Sequence, residues 1–358
     1  MSLRLTITPH LLQFKFDART SRGAMTTHQV YFLTLSESAD PGTKGVGECA
    51  PLPGLSVDAI PGLEQKLAEV MVWLNNGDTT PAELKNYLST EALRDWPSLR
   101  FGLETALLDL QNGGRKKIYD NAFRRGEQGI PINGLIWMGD KSFMQEQIRK
   151  KLSEGYTCLK LKIGSLDFAT ELEILKQIRY LASANELTIR VDANGAFSTA
   201  DALRKLERLS RYDLHSIEQP IRQGQQEQMQ QLCANTPIPI ALDEELIGIQ
   251  DAALQTELLD FIRPQYIILK PTLVGGLGAS ATWISLAEKR QIGWWMTSAL
   301  ESNIGLNAIS QFTANYPVTL PQGLGTGQLY HNNIASPLQI KTGSLWYTDK
   351  EWAGLPQV

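Results

Sequence analysis

Residues 158–164 read CLKLKIG. Side chains of an extended strand alternate faces, so Lys160 and Lys162 point one way while Leu159, Leu161 and Ile163 point the other. One face calls for an apolar layer, and the other carries two ammonium groups. A charge without a partner is costly to bury, so anions are expected opposite these lysines.

Outward from this strand the chain keeps one rhythm. From Ile130 to about Gly327, short apolar runs alternate with helical stretches. The runs are "IPINGLIW", "TCLKLKIG", "LTIRVDANG", "HSIEQP", "PIPIALDEEL", "QYIILKP", "IGWWMTSALES" and "LPQGLGTG". Helices such as "ATELEILKQIRYLASA", "TADALRKLERLSRY" and "LGASATWISLAEKR" lie between them. Repeated strand–helix units imply parallel strands, and eight of them in about 200 residues suit a closed (β/α) barrel. A doubly wound sheet is the alternative, but no dinucleotide-type glycine fingerprint follows an early strand. Residues 1–125 read instead as mixed α+β. "HQVYFLTLSE" and "KGVGECAPL" have the look of antiparallel strands, while "AIPGLEQKLAEVMVWLNN" and "SLRFGLETALLDLQNG" have amphipathic helical spacing. The expected organisation is a domain over 1–125, a barrel over 126–327, and a segment over 328–358 whose strands return to the first domain.

Bulk properties exclude several classes. The net charge is -4 with no basic run, which gives no footprint for nucleic acid. Cys49, Cys158 and Cys233 lie far apart and form neither a CxxC pair nor a disulfide framework, which points to a reducing cytoplasm. The start, "MSLRLTITPHLLQFKFDART", alternates like a strand and lacks the apolar core of a signal peptide. No apolar stretch approaches the roughly 20 residues of a membrane span. A soluble cytoplasmic protein is expected, with a small molecule as its partner; its oligomeric state is not legible.

The polar groups of a (β/α) barrel collect at the C-terminal ends of its strands. Read in order, those ends carry Lys160 and Lys162, then Asp192 in "RVDANG", Glu218 in "SIEQP", Asp243 in "ALDEE" and Lys270 in "ILKP". The steps from Lys162 onward are 30, 26, 25 and 27 residues. Each is close to one βαβ unit of about 30 residues, so the groups line one mouth at one height. Three carboxylates brought together repel unless a cation sits among them. Oxygen ligands without cysteine or histidine favour Mg²⁺, and Mn²⁺ can substitute. A divalent ion on a substrate carboxylate stabilises an enediolate, and a lysine kept from bulk water beside other cations can take a proton. The constellation therefore suits proton abstraction next to a carboxylate. Arg190 and Asn194 share the inward face with Asp192, and either could touch substrate or only balance charge. Glu244 and Glu245 are expected to point elsewhere or to lie past the strand end.

The ordered set KxK, Asp, Glu, Asp, Lys on consecutive strands resembles the enolase superfamily, in its muconate-lactonizing-type branch. That resemblance covers nearly the whole chain. It implies a (β/α)7β TIM-like barrel under an α+β capping domain, with Asp192, Glu218 and Asp243 as Mg²⁺ ligands. By the same likeness Lys162 would be the general base, assisted by Lys160, and Lys270 would face it across the substrate. The resemblance thus implies enediolate chemistry run by a lysine base beside Mg²⁺. No histidine stands at the seventh strand, as the mandelate-racemase type would need, and "GLGTGQLY" lacks the acidic motif of dipeptide epimerases.

"SALESNIGLNAISQ" (298–311) and "GLGTGQLY" (323–330) are similar to the o-succinylbenzoate synthase family, and "GECAPLPGLS" (47–56) resembles the cap segment of the same branch, which N-acylamino acid racemases share. This likeness implies syn dehydration of 2-succinyl-6-hydroxy-2,4-cyclohexadiene-1-carboxylate to 2-succinylbenzoate, a step of menaquinone synthesis. It places the succinyl tail between the cap loop "ARTSRGAM" (18–25) and the last strand ends. Thr297, Ser298, Gly325 and Thr326 would then offer donors, and Arg19 or Arg22 charge. Two other readings stay open: an N-succinylamino acid racemase with the same metal and lysines, and a non-catalytic barrel that binds a small carboxylate.

Overall fold

The computed structural model describes residues 2–20, 23–137 and 139–356. Its first unit opens with three strands, β1 (Leu3–Thr20), β2 (Gly23–Glu37) and β3 (Asp40–Cys49), in an antiparallel sheet of that order. Helices α1 (Leu63–Asn76), α2 (Pro81–Leu88) and α3 (Pro97–Gln111) follow. Alternation along β1 and β2 aims Leu3, Leu5, Leu33 and Leu35 at one face, where they pack with Leu67, Leu74, Leu99 and Leu103 of the helices. Glycines let α3 lie close on β3: a Cβ on Gly47 would stand 1.9 Å from Gly102 O.

The strand–helix rhythm predicted from the sequence then unfolds as β4 (Ile130–Pro131), β5 (Gly134–Ile136), α4 (Lys141–Ser153), β6 (Cys158–Lys162), α5 (Phe168–Leu181), β7 (Thr188–Asp192) and α6 (Ala202–Leu209). It continues through β8 (Ser216–Glu218), α7 (Gln226–Asn235), β9 (Ile240–Leu242), α8 (Ala252–Ile262), β10 (Tyr266–Leu269), the short α9 (Pro271–Val274), α10 (Gly276–Glu288), β11 (Gly293–Met296) and α11 (Asn303–Thr313). Strands β5 to β11 form a seven-stranded sheet in simple sequential order, all parallel. Parallel bridges Thr297–Gly323 and Ile132–Gln322 join both ends of that sheet to one short segment, so the sheet curls round on itself. Its inner and outer apolar residues form the largest core cluster. The result is a TIM-like fold with a capping domain.

The tail divides its contacts. Residues 329–332 run along the cap, with a Phe14–Tyr330 bridge and Lys15 N donating to Leu329 O at 2.9 Å. The hairpin of β12 (Leu338–Lys341) and β13 (Ser344–Tyr347) pairs with β4 instead. Among the described residues no helix is long and apolar enough to cross a membrane.

Candidate active site

The parallel register sets the site. Lys162 pairs with Asp192 across β6 and β7, and Asp192 with Glu218 across β7 and β8. Asp243 follows the last residue of β9 and Lys270 the last residue of β10. Five strands thus bring six charged groups together, with Lys160 rising from the layer below Lys162. Lys160 Nζ lies 3.0 Å from Asp192 Oδ2 and also pairs with Glu218. Lys162 Nζ donates to Asp192 Oδ2 at 2.5 Å and to Asn194 Oδ1 at 2.9 Å. Lys270 donates to Asp243 Oδ2.

Electrostatics follow from burial and crowding. Burial works against the charged form of Asp192, but Lys160 and Lys162 hold its carboxyl far below the usual range. Asp243 is likewise held low, against burial, by Lys270 and Lys160. Glu218 goes the other way: burial and the charges of Asp192 and Asp243 push its carboxyl well up. It pairs with Lys160, yet neither of its oxygens accepts a well-aligned hydrogen bond. A carboxyl driven toward neutrality by its neighbours is one that gains most from a cation. These three oxygen donors suit a hard divalent ion. With Lys160 and Lys270 drawn onto the acids, the described residues do not converge in ligating geometry.

Above the acids lies a cavity of about 620 Å³. Lys160, Lys162 and Lys270 line its charged side, and Thr297, Ser298, Gly325 and Thr326 its last-strand side. The cap contributes an apolar roof from Phe16, Met25, Leu52 and Leu55, and Trp137 closes the wall after β5. Of the hydroxyls on these strand ends, Thr297 Oγ1 is buried without a hydrogen-bond partner, whereas those of Ser298 and Thr326 are engaged. Ser298 Oγ donates to Glu301 Oε2 at 2.5 Å and accepts from Thr326 Oγ1 at 2.8 Å.

Two expected substrate contacts fall elsewhere. Arg190 does not line the cavity; it is 1% exposed, with its guanidinium 3.9 Å from the Trp295 ring centroid and Nη1 donating to Pro321 O. Strand alternation gives the correct face, but two residues before Asp192 is one layer deeper in the barrel. Asn194 also lies outside the lining and is bound to Lys162 and Glu244. Arg22 lies outside the described residues. Sequence reasoning missed Glu301, a fully buried acid in the quoted "SALES", and the bond from Asn194 to Glu244. An acid just past a strand end is the one available signal for each.

Residues 143–355 match the family described as enolase C-terminal domain-like. An o-succinylbenzoate synthase of Desulfotalea psychrophila is 50% identical over 357 residues, covering 93% of this chain and 96% of the relative. The chain belongs to the o-succinylbenzoate synthase family of the enolase superfamily. Within that superfamily it is also 29% identical to an N-succinylamino acid racemase of Thermus thermophilus, over 82% of this chain and 77% of that one. The crystal structure of MenC from Desulfotalea psychrophila superposes with a TM-score of 0.85 at 47% identity, covering 97% of this chain and all of that one. An L-Ala-D/L-Glu epimerase of Bacillus subtilis shares the fold, with a TM-score of 0.84 at 18% identity and 98% coverage of both chains.

Proposed function

We propose that this chain is an o-succinylbenzoate synthase, a hydro-lyase that dehydrates 2-succinyl-6-hydroxy-2,4-cyclohexadiene-1-carboxylate to 2-succinylbenzoate in menaquinone synthesis. The observation that carries this reading is the cavity lined by both Lys162 and Lys270, which come from strands four apart in the sheet, in a chain 50% identical to a synthase over nearly its whole length. Residues 1–125 act as the cap, 126–327 as a (β/α)7β barrel with the 322–323 segment as its last stave, and 328–358 as a return segment.

Asp192, Glu218 and Asp243 hold Mg²⁺, with Mn²⁺ as a substitute. When bound, the ion supplies Lewis-acid stabilisation of the negative charge that grows on the substrate carboxylate. Lys162 removes the proton from the ring carbon beside that carboxylate. The same amine then returns the proton to the departing hydroxyl on the same face, so the C–H and C–O bonds break, one water leaves and the ring becomes aromatic. Lys270 stays cationic and faces the electron-rich ring from the other side. Lys160 keeps Asp192 and Glu218 in place. Thr297, Ser298, Gly325 and Thr326 bound the succinyl end, and the apolar cap residues exclude water from the ring. Three unpaired, buried cysteines support a cytoplasmic setting.

A second reading, N-succinylamino acid racemase, is favoured by the same two lysines lining the cavity and by the similarity to the Thermus thermophilus protein. The test follows ultraviolet absorbance as the ring aromatises, using purified protein and Mg²⁺ with a chelator control. Fast, chelator-sensitive conversion is expected. Absence of conversion with the metal present would end the synthase assignment.

A further inference from the structure

Lys162 reaches its working position through two acceptors, and only one of them is an acid of the expected triad. Nζ donates to Asp192 Oδ2 at 2.5 Å and to Asn194 Oδ1 at 2.9 Å. Asn194 is itself fixed at three points: its backbone N–H donates to Asp192 Oδ1 at 3.0 Å, its Nδ2 donates to Glu244 Oε1 at 3.0 Å, and its φ of 43° is one that asparagine tolerates well. Glu244 is 4% exposed, in the tight turn after β9. That turn is held by Gln219, whose Oε1 accepts from the backbone N–H groups of Asp243 and Glu245.

An asparagine amide can sit either way round, and the two ends have opposite hydrogen-bonding character. Glu244 Oε1 accepts from Nδ2, so the amide is held with Nδ2 toward Glu244 and Oδ1 toward Lys162. We infer that Asn194 and Glu244 form a positioning pair that sets the rotation of the Lys162 amine. This inference rests on the synthase reading and goes beyond it by assigning Asn194 a role other than substrate contact.

The stereochemical consequence is specific. A neutral primary amine has two N–H groups and one lone pair. With Asp192 and Asn194 taking the two N–H groups, the lone pair is left to face the cavity that Lys162 lines. After it captures the proton from carbon, that same direction carries the third N–H. The proton is then aimed back at the hydroxyl that leaves from the same face. Without Oδ1 the amine swivels, and both proton transfers lose their alignment.

The test is a double-mutant cycle on steady-state turnover of the hydroxycyclohexadiene substrate. Asn194→Ala should lower kcat about 100-fold, in keeping with the cost of misplacing a reacting group. Glu244→Leu should lower kcat about tenfold, as loss of an outer-shell partner does. Glu244→Gln, whose carbonyl can still accept from Nδ2, should recover most of the rate. KM should move little in each, and Glu244→Leu should cost nothing further in the Asn194→Ala background. A rise in KM with unchanged kcat would make Asn194 a substrate contact and overturn the pair. Additive losses accompanied by a lower Tm would reduce both residues to structural roles. Should Glu244→Leu not fold, the split between KM and kcat in Asn194→Ala decides alone. A wild type inactive on this substrate is tried for α-proton exchange on N-succinylamino acids, where the same variants read the same base. Inactivity on both removes the synthase reading and the pair together, whereas an active wild type with additive variants removes only the pair.

Discussion

Lys160 Nζ lies 3.0 Å from Asp192 Oδ2 and pairs at the same time with Glu218, so one buried ammonium bridges two of the three acids. It sits where a cation is needed and stands in for part of one. Removing it leaves buried like charges facing each other. Lys160→Met should therefore cost about 3–5 kcal/mol of folding stability in a chelator, the usual penalty for breaking one side of a buried ion pair. Added Mg²⁺ should stabilise this variant more than the wild type, because binding to the folded state adds to stability and less positive charge opposes it. Denaturant titrations with and without metal check this. Equal Mg²⁺ effects on both proteins would disprove the bridging account.

Lys162→Ala removes the group proposed to take and return the proton while leaving the acids in place. Turnover should fall about 1000-fold or more, within the range of a lost general base. The Mg²⁺-dependent gain in Tm should persist. Retained turnover would show that another residue is the base.

Within the cap, Asp58 offers a pH signature. Its carboxylate is fully buried beside the start of α3, where Oδ2 accepts from Ser98 N at 2.8 Å and Ser98 Oγ at 2.5 Å, while Oδ1 has no partner. Burial pushes this carboxyl up to about 6. The folded state thus keeps the proton at pH values where the unfolded chain has lost it. The associated stability is present below the ordinary carboxylate range and is lost as pH rises toward about 6. Asp58→Asn keeps the acceptor and cannot ionise. Its stability relative to wild type should rise by on the order of 2–3 kcal/mol between about pH 4 and pH 7. A difference that does not change with pH would refute this.

Close backbone approach inside the cap gives a steric prediction. A Cβ at position 47 would stand 1.9 Å from Gly102 O and 2.8 Å from Ala106 N, both backbone atoms of α3. Since backbone cannot swing aside, Gly47→Ala should destabilise by roughly 3 kcal/mol or more, at the upper end of overpacking costs. Chemical denaturation of the variant measures it. A loss well under 1 kcal/mol would mean that α3 is free to shift away from β3.

The barrel and its ring of charges were legible because both rest on simple periodicities. Alternation put Lys160 and Lys162 on one face, and a spacing near one βαβ unit put Asp192, Glu218, Asp243 and Lys270 at one height. Depth was not legible. Arg190 shares the face of Asp192 yet belongs to the layer below, stacked on Trp295, because alternation tells side from side and not floor from mouth. Contacts between loops of different strands were also out of reach. Asn194 meets Glu244 across 50 residues, and Glu48 of the cap accepts from Ser302 N across 254. The tail shows the same limit. Its strand pattern was readable, but only the fold reveals that β13 pairs with β4 while residues 329–332 serve the cap.

The most direct test of the central claim compares specificity constants on one enzyme preparation with saturating Mg²⁺. One arm follows dehydration of the hydroxycyclohexadiene carboxylate, and the other follows racemisation of an N-succinylamino acid. The account predicts that kcat/KM for dehydration is the larger and that Lys162→Ala abolishes it. Racemisation that equals or exceeds dehydration would contradict the assignment.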